Sequence, residues 1–315
     1  MPSTTPKRER FECPKCGSTT NAPLGTDRLA RRLCSSCYGK GEDRRPRDLN
    51  DLSGREWAEA SKSVEQYPDT RSAKQKLHGA AFPESLARQQ IAIYTKAEAT
   101  VLDPFVGVGT TLDACAALGR AGIGIDLSEE FVALAKADLV GRPGADRQRL
   151  IVSDARRLSD HIAPTSVDFV LTSPPYGSLL KNVKGAFAYK WREHSAIDAI
   201  ANPAPYSQCA EDLGNLEYLP FLDAIETTLG ETMKVMRSNT YAVWVVKDFR
   251  TPKEKVPFVN LHGDVIARAE AVGFQLWDIR IYDQTKFRPL VCLGFPSRNF
   301  YLNIGHSYLL VFKRP

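Results

Sequence analysis

A chain of 315 residues that is 43% hydrophobic and 25% charged can bury one large core and still carry a small appendage. No apolar run approaches the length of a membrane helix, the first residues are polar and basic, and no internal repeat is visible, so a cytoplasmic globular protein without a leader peptide is expected. The formal net charge of +5 is concentrated at one end: residues 1–55 hold 12 Lys/Arg against 7 Asp/Glu, and the remainder is balanced. That excess suits a polyanionic partner; a solubilising tail is the plainer reading.

The basic end carries two cysteine knuckles, Cys13-Pro14-Lys15-Cys16 and Cys34-Ser35-Ser36-Cys37. Four thiolates at this spacing suit one tetrahedral structural zinc, with Gly17 fitting the turn after the first pair; disulfides are the alternative. Arg28, Arg31, Arg32, Arg44, Arg45 and Arg47 form a candidate phosphate-contacting set. We divide the chain into a zinc ribbon with its basic linker, 1–45, and a main domain, 46–315. Cys115, Cys209 and Cys292 are scattered and read as packing residues.

Beyond the linker the pattern alternates. A helix is expected near 84–95, a strand near 99–104, a helix over 110–118 stopped by Gly119, a strand over 121–126 and a helix over 128–139. Strands follow near 149–153 and 167–172, then a helix over 217–237, a strand over 240–247 and a helix over 260–272. The last two apolar runs, 274–282 and 306–313, have no clear helix between them and read as a hairpin. Strands interleaved with helices predict a mostly parallel, doubly wound α/β sheet, and the hairpin puts one antiparallel strand into it.

Three motifs fall at strand ends. Asp103-Pro104-Phe105-Val106-Gly107-Val108-Gly109-Thr110-Thr111 reads as the end of a strand, a glycine turn and a helix start, with Thr110 or Thr111 as a cap. Asp126 closes the next strand, where an acid commonly holds ribose hydroxyls; it could equally cap the helix after it. Thr172-Ser173-Pro174-Pro175-Tyr176-Gly177 ends a buried strand abruptly, because neither proline can donate to a sheet ladder. A flat base with an exocyclic amine could stack on Tyr176 and donate to Ser173 Oγ and the Pro174 carbonyl; a proline turn that merely closes a strand is the alternative. Asp248, after Val243-Trp244-Val245-Val246-Lys247, also faces this rim.

These motifs together resemble the DNA amino-methyltransferases, the N4-cytosine and N6-adenine enzymes. The likeness spans roughly residues 50–315 and includes Phe82-Pro83 in a segment with Gly79 where the family usually has proline. It also includes Asp212-Leu213-Gly214 and the closing His306–Lys313, with Ser307 where glutamate is more frequent. It implies a Rossmann-like class I fold with a seven-stranded, mostly parallel sheet, S-adenosylmethionine as methyl donor, and structural Zn²⁺ in the ribbon, since such enzymes work where disulfides are rare. Asp103, Phe105, Gly107, Gly109, Thr110, Asp126, Asp154, Phe82 and Pro83 are then expected to bind the donor, Asp103 through its methionine ammonium, directly or through water; a cap on its own turn is the alternative for Asp103. Ser173, Pro174, Pro175 and Tyr176 are expected to form the catalytic loop. The serine form of that loop is typical of N4-cytosine enzymes; adenine N6 is the runner-up, with an RNA base or a non-catalytic zinc-ribbon DNA-binding role behind it. Double-stranded DNA with its target base flipped out is the implied partner, and a cognate restriction endonuclease is a candidate one. The donor loop here precedes the catalytic loop, a circularly permuted order relative to many serine-type members. That leaves 178–212, rich in cations and aromatics, as the candidate target-recognition insertion.

Overall fold

The structure, a computed structural model, describes residues 7–40, 49–68, 72, 74–75, 81–175, 212–251, 256–287, 298 and 302–315. The chain forms two compact units, Met1–Asp48 and Leu49–Pro315. In the first, β1 (Arg8–Glu12) and β2 (Thr19–Pro23) make an antiparallel hairpin, followed by α1 (Asp27–Ala30) and α2 (Ser35–Lys40). Its small core is Phe11, Ala22 and Leu33 with two of the cysteines. A cluster that small cannot order a domain on apolar burial alone, which is where a metal staple matters.

The second unit begins with α3 (Gly54–Ala60), β3 (Val64–Glu65) and α4 (Glu84–Tyr94). Then come β4 (Thr100–Asp103), α5 (Thr110–Leu118), β5 (Ala121–Asp126), α6 (Glu129–Leu139), β6 (Gln148–Val152) and β7 (Val167–Thr172). After the segment outside the described residues follow α7 (Tyr218–Val235), β8 (Met236–Val246), a short hairpin of β9 (Phe249–Thr251) and β10 (Val256–Val259), α8 (Leu261–Ala271), β11 (Gln275–Asp283) and β12 (His306–Lys313).

One sheet runs in the order β3-β11-β12-β8-β7-β4-β5-β6. β4 to β8 pair in parallel, and β12 is antiparallel to both β8 and β11, as the hairpin reading required. The seven expected strands are present. The sheet has eight because Val64 and Glu65 add a two-residue edge beside Ile281 and Tyr282, too short to leave a periodic signal.

Side chains alternate along each strand, and both faces are buried. Val101, Phe169, Leu171, Val243 and Val311 pack on one face with Leu86 and Ile91 of α4 and Ala114 of α5. Leu102, Val170, Trp244, Val246 and Phe312 pack on the other, against Phe221, Ile225 and Leu229 of α7 and Leu261 and Val265 of α8. Phe221, Ile225 and Leu229 are spaced four apart and so line one stripe of their helix. Each contributes about 1.5–3 kcal/mol relative to an exposed side chain. This two-sided core fixes where the strands end, and the ends carry the site.

Candidate active site at the carboxyl rim of the sheet

β4 lies between β7 and β5, so strand order reverses there and the loops after β4 and β7 leave side by side. The glycine turn after β4 folds back on β5: Val106 N–H donates to the Ile125 carbonyl at 2.9 Å. A Cβ on Gly124 would lie 2.7 Å from Val106 Cγ2, so only glycine lets the loop come this close. Gly109 has φ +87°, and a Cβ there would meet Ala135 Cβ at 2.9 Å. Gly109 itself is the N-cap of α5. Neither Thr110 nor Thr111 caps the helix, contrary to expectation, because both hydroxyls are engaged elsewhere.

Thr111 Oγ1 donates to Asp103 Oδ2 at 2.5 Å, while Thr172 Oγ1, at the end of β7, donates to Asp103 Oδ1 at 2.6 Å. Phe105 N–H donates to the same Oδ1 at 3.1 Å. Asp103 is 2% exposed, and burial pushes its carboxyl up to about 6 despite these three donors. The side chain thus accepts three hydrogen bonds from the protein. It ties the turn after β4, helix α5 and the last residue before Ser173 into one piece.

Asp126 bonds backbone N–H groups of the glycine turn and of the next loop, and it is not itself the cap of α6. Oδ2 accepts from Gly107 N–H at 2.8 Å and Oδ1 from Ser128 N–H at 2.9 Å, and Ser128 is the cap of α6. Burial raises its carboxyl while the two N–H groups pull the other way. Each oxygen keeps a lone pair. Asp154, beyond β6, caps a short 3₁₀ turn by accepting from Arg156 N–H at 2.8 Å and is gripped by the Arg156 guanidinium at 2.5 Å. Phe82 is half-buried and Pro83 buried at the start of α4. Gln75 was not foreseen. Its amide donates to Thr110 Oγ1 at 3.0 Å and to the Phe82 carbonyl at 3.1 Å, stitching together two segments expected to hold the donor. No local pattern marks a lone glutamine of this kind.

Ser173 is half-buried, Pro174 buried and Pro175 half-buried as the chain leaves β7. The Ser173 hydroxyl makes no hydrogen bond among the described residues. Tyr176 and residues 178–211 lie outside the described residues; Asp212, at the end of the candidate insertion, caps a 3₁₀ turn through Gly214 N–H at 2.8 Å. Trp244 stands opposite Thr172 on β8, edge-on to Phe105 with ring centroids 6.2 Å apart, and its buried indole N–H has no acceptor among the described residues. An unspent donor and an unspent hydroxyl thus flank a turn whose other groups are satisfied.

In the N-terminal unit the sulfurs of Cys13, Cys16, Cys34 and Cys37 all lie within 4.8 Å of one another, with Cys16 and Cys34 at 3.6 Å. Ligands on a tetrahedral zinc, about 2.3 Å from the ion, stand about 3.8 Å apart. None of the four is joined in a disulfide, and their common spacing suits one shared ion. Gly17 N–H donates to the Cys13 carbonyl at 2.8 Å, closing the first knuckle with Gly17 at φ +69°. Hydrogen bonding from Ser18 holds the Cys16 thiol down to about 6, while the neighbouring Cys16 sulfur drives Cys37 up to about 12. One anionic sulfur thus disfavours the next, and a divalent cation is what lets four ionise together. The cluster can hold a zinc ion. Arg31 pairs with Asp27 at 3.0 Å and Arg32 with Glu9 at 3.5 Å, whereas Arg44, Arg45 and Arg47 lie outside the described residues.

This sheet order, with a glycine turn after its first core strand and an acid ending the second, defines the Rossmann-like class I fold of S-adenosylmethionine-dependent methyltransferases. A family model described as DNA methylase matches residues 36–137. Type II methyltransferase M.SmaI of Serratia marcescens is 38% identical over 80 residues, 25% of each chain. The tRNA (guanine(10)-N2)-dimethyltransferase of Pyrococcus abyssi is 32% identical over 98 residues, 31% of this chain and 29% of that protein. The chain therefore spans between a quarter and a third of the length of these relatives. Among solved structures, TrmN from Thermus thermophilus aligns with a TM-score of 0.46 and 16% identity, over 77% of this chain and 53% of that one. Over residues 36–137 the chain is thus similar to DNA methylases. Among the described residues no helix is long and apolar enough to cross a membrane.

Proposed function

We propose that this protein methylates DNA, moving a methyl group from S-adenosylmethionine to the exocyclic N4 amine of cytosine in a base flipped out of the duplex. One observation carries the reading. Ser173, with its hydroxyl unspent, leaves β7 directly beside the glycine turn, and Asp103 bonds both loops at once.

Phe82, Pro83, Phe105, Gly107 and Gly109 would hold the donor, with the remaining lone pairs of Asp126 open to ribose hydroxyls. Thr110 is buried and braced by Gln75, so it shapes the turn more than it touches a ligand. Asp154 would meet the donor's adenine only through a carboxylate that Arg156 already holds. Asp103 sets the spacing of the two loops. When bound, S-adenosylmethionine supplies an electrophilic methyl on a sulfonium.

An exocyclic amine is a poor nucleophile because its lone pair is delocalised into the ring. Hydrogen bonds from the amine to Ser173 Oγ and the Pro174 carbonyl favour a tetrahedral nitrogen whose lone pair faces the methyl. Such pre-positioning supplies much of the rate. Tyr176 is the expected stacking face for the flipped base.

The test is nucleoside mass spectrometry on unmethylated DNA incubated with the purified chain and labelled S-adenosylmethionine. N4-methylcytosine is expected. N6-methyladenine would keep the mechanism and reassign the pocket, and no methylated base while the donor binds would overturn the DNA reading in favour of RNA or a non-catalytic role. Zinc in the ribbon predicts one metal per chain by native mass spectrometry and collapse of the 7–40 unit on chelation, because a four-cysteine site supplies its own folding energy.

A further inference from the structure

A polar cluster that this chemistry leaves unused stands one strand from the catalytic loop. Thr172 is opposite Trp244, so the chain that runs on past Val246 to Asp248 leaves from the same rim as Ser173. Asp248 is 1% exposed. Its Oδ1 accepts from His262 N–H at 3.0 Å, and its Oδ2 is 2.7 Å from His262 Nδ1. The His262 ring, at the start of α8, stacks on Tyr308 of β12 with centroids 4.0 Å apart and planes 15° off parallel.

These contacts settle the tautomer. A carboxylate against Nδ1 makes that nitrogen the donor, so the neutral ring keeps its free lone pair at Nε2. Nε2 points away from the buried Asp248, and it has no partner among the described residues. The side chain retains 24% of its surface, so it can be reached. A buried carboxylate fixing an imidazole whose other nitrogen is open is the arrangement of a general base.

Methyl transfer to an amine releases a proton that such a base can take. As the new C–N bond forms and the S–C bond breaks, sulfur takes the electron pair and the nitrogen is left cationic with one proton too many. The Ser173 hydroxyl and the Pro174 carbonyl accept hydrogen bonds, but neither keeps a proton at neutral pH. Asp103 is buried and already accepts three hydrogen bonds, and Asp126 and Asp154 are each held by protein donors. We propose that His262, oriented by Asp248 and stacked on Tyr308, takes this proton at Nε2. The product is the neutral methylamine, and the imidazolium returns its proton to solvent. This inference rests on the amino-methyltransferase reading.

The test uses the full, zinc-loaded chain on unmethylated bacterial genomic DNA with labelled S-adenosylmethionine. His262→Ala should lower kcat about 100-fold, leave donor affinity within about twofold, and recover about tenfold with added imidazole. His262→Asn keeps a donor toward Asp248 and removes the base, so it should be as slow even if the alanine variant folds poorly. Wild-type kcat in His262→Asn would overturn the proposal, and so would a loss in His262→Ala that imidazole leaves unchanged. A wild-type chain that binds donor and methylates no base would instead overturn the functional reading, and this proposal with it.

Discussion

The loops after β4 and β7 leave the sheet as neighbours, yet they are finished in opposite ways. Every polar group named in the first is satisfied by the protein: Asp103 by three donors, the Gly107 N–H by Asp126, Thr110 by Gln75. The second keeps its Ser173 hydroxyl in reserve, and beyond it the Trp244 indole N–H on β8 and His262 Nε2 on α8 are also unpaired among the described residues. A turn that must hold a ligand in one pose gains from internal wiring, whereas a pocket that must grip an incoming amine needs donors and acceptors not already spent. The Thr172–Asp103 hydrogen bond links the two, so the strand end that carries Ser173 is anchored to the wired turn.

Breaking the wired side should have the largest effect. Asp103→Ala strands the Thr111 and Thr172 hydroxyls and the Phe105 N–H, each costing about 1–3 kcal/mol when left unsatisfied. A loss of about 3 kcal/mol or more in urea unfolding, with donor binding lost as well, is expected; a near-wild-type midpoint would show that the network is ornamental.

Titration gives a second handle. Burial holds Asp103 at about 6, above the usual carboxylate value near 3.9, so the folded state binds this proton more tightly than the unfolded chain does. Its contribution to stability is therefore greatest below about pH 4 and declines as pH climbs through about 6, by a total on the order of 3 kcal/mol. Asp103→Asn should flatten that part of the pH–stability curve, read by urea unfolding at pH 5 and 7. An unchanged slope would place the titration elsewhere.

Thr172→Val should have a smaller effect, about 1–2 kcal/mol for one buried hydrogen bond to a carboxylate. Because it cuts the link and spares the turn, kcat should fall more than donor affinity does, and Thr172→Ser should restore it. Equal falls in both would mean the link serves only stability.

Much of this was legible in the chain. The alternating apolar runs place 121–126, 167–172 and 306–313 at their observed limits, because both faces of those strands are buried and the pattern is strong. The hairpin of β9 and β10 was not anticipated, since Pro252, Pro257 and the charges between them read as loop. Asp103 shows how site chemistry stays hidden: two of its partners lie 8 and 69 residues away, so a sequence shows an acid at a strand end but not that two threonines already bond it. The same holds for Gln75 and for His262, whose meaning comes from an aspartate 14 residues earlier and a tyrosine on another strand. The cysteine knuckles were the opposite case, because ligand spacing alone nearly determines the geometry.

The division of labour between the loops is tested most directly by Ser173→Ala, measuring turnover and donor affinity on the same preparation. The account predicts turnover reduced at least about 100-fold with the S-adenosylmethionine Kd within about twofold of wild type. A variant that loses both to the same extent, or that turns over normally, would contradict it.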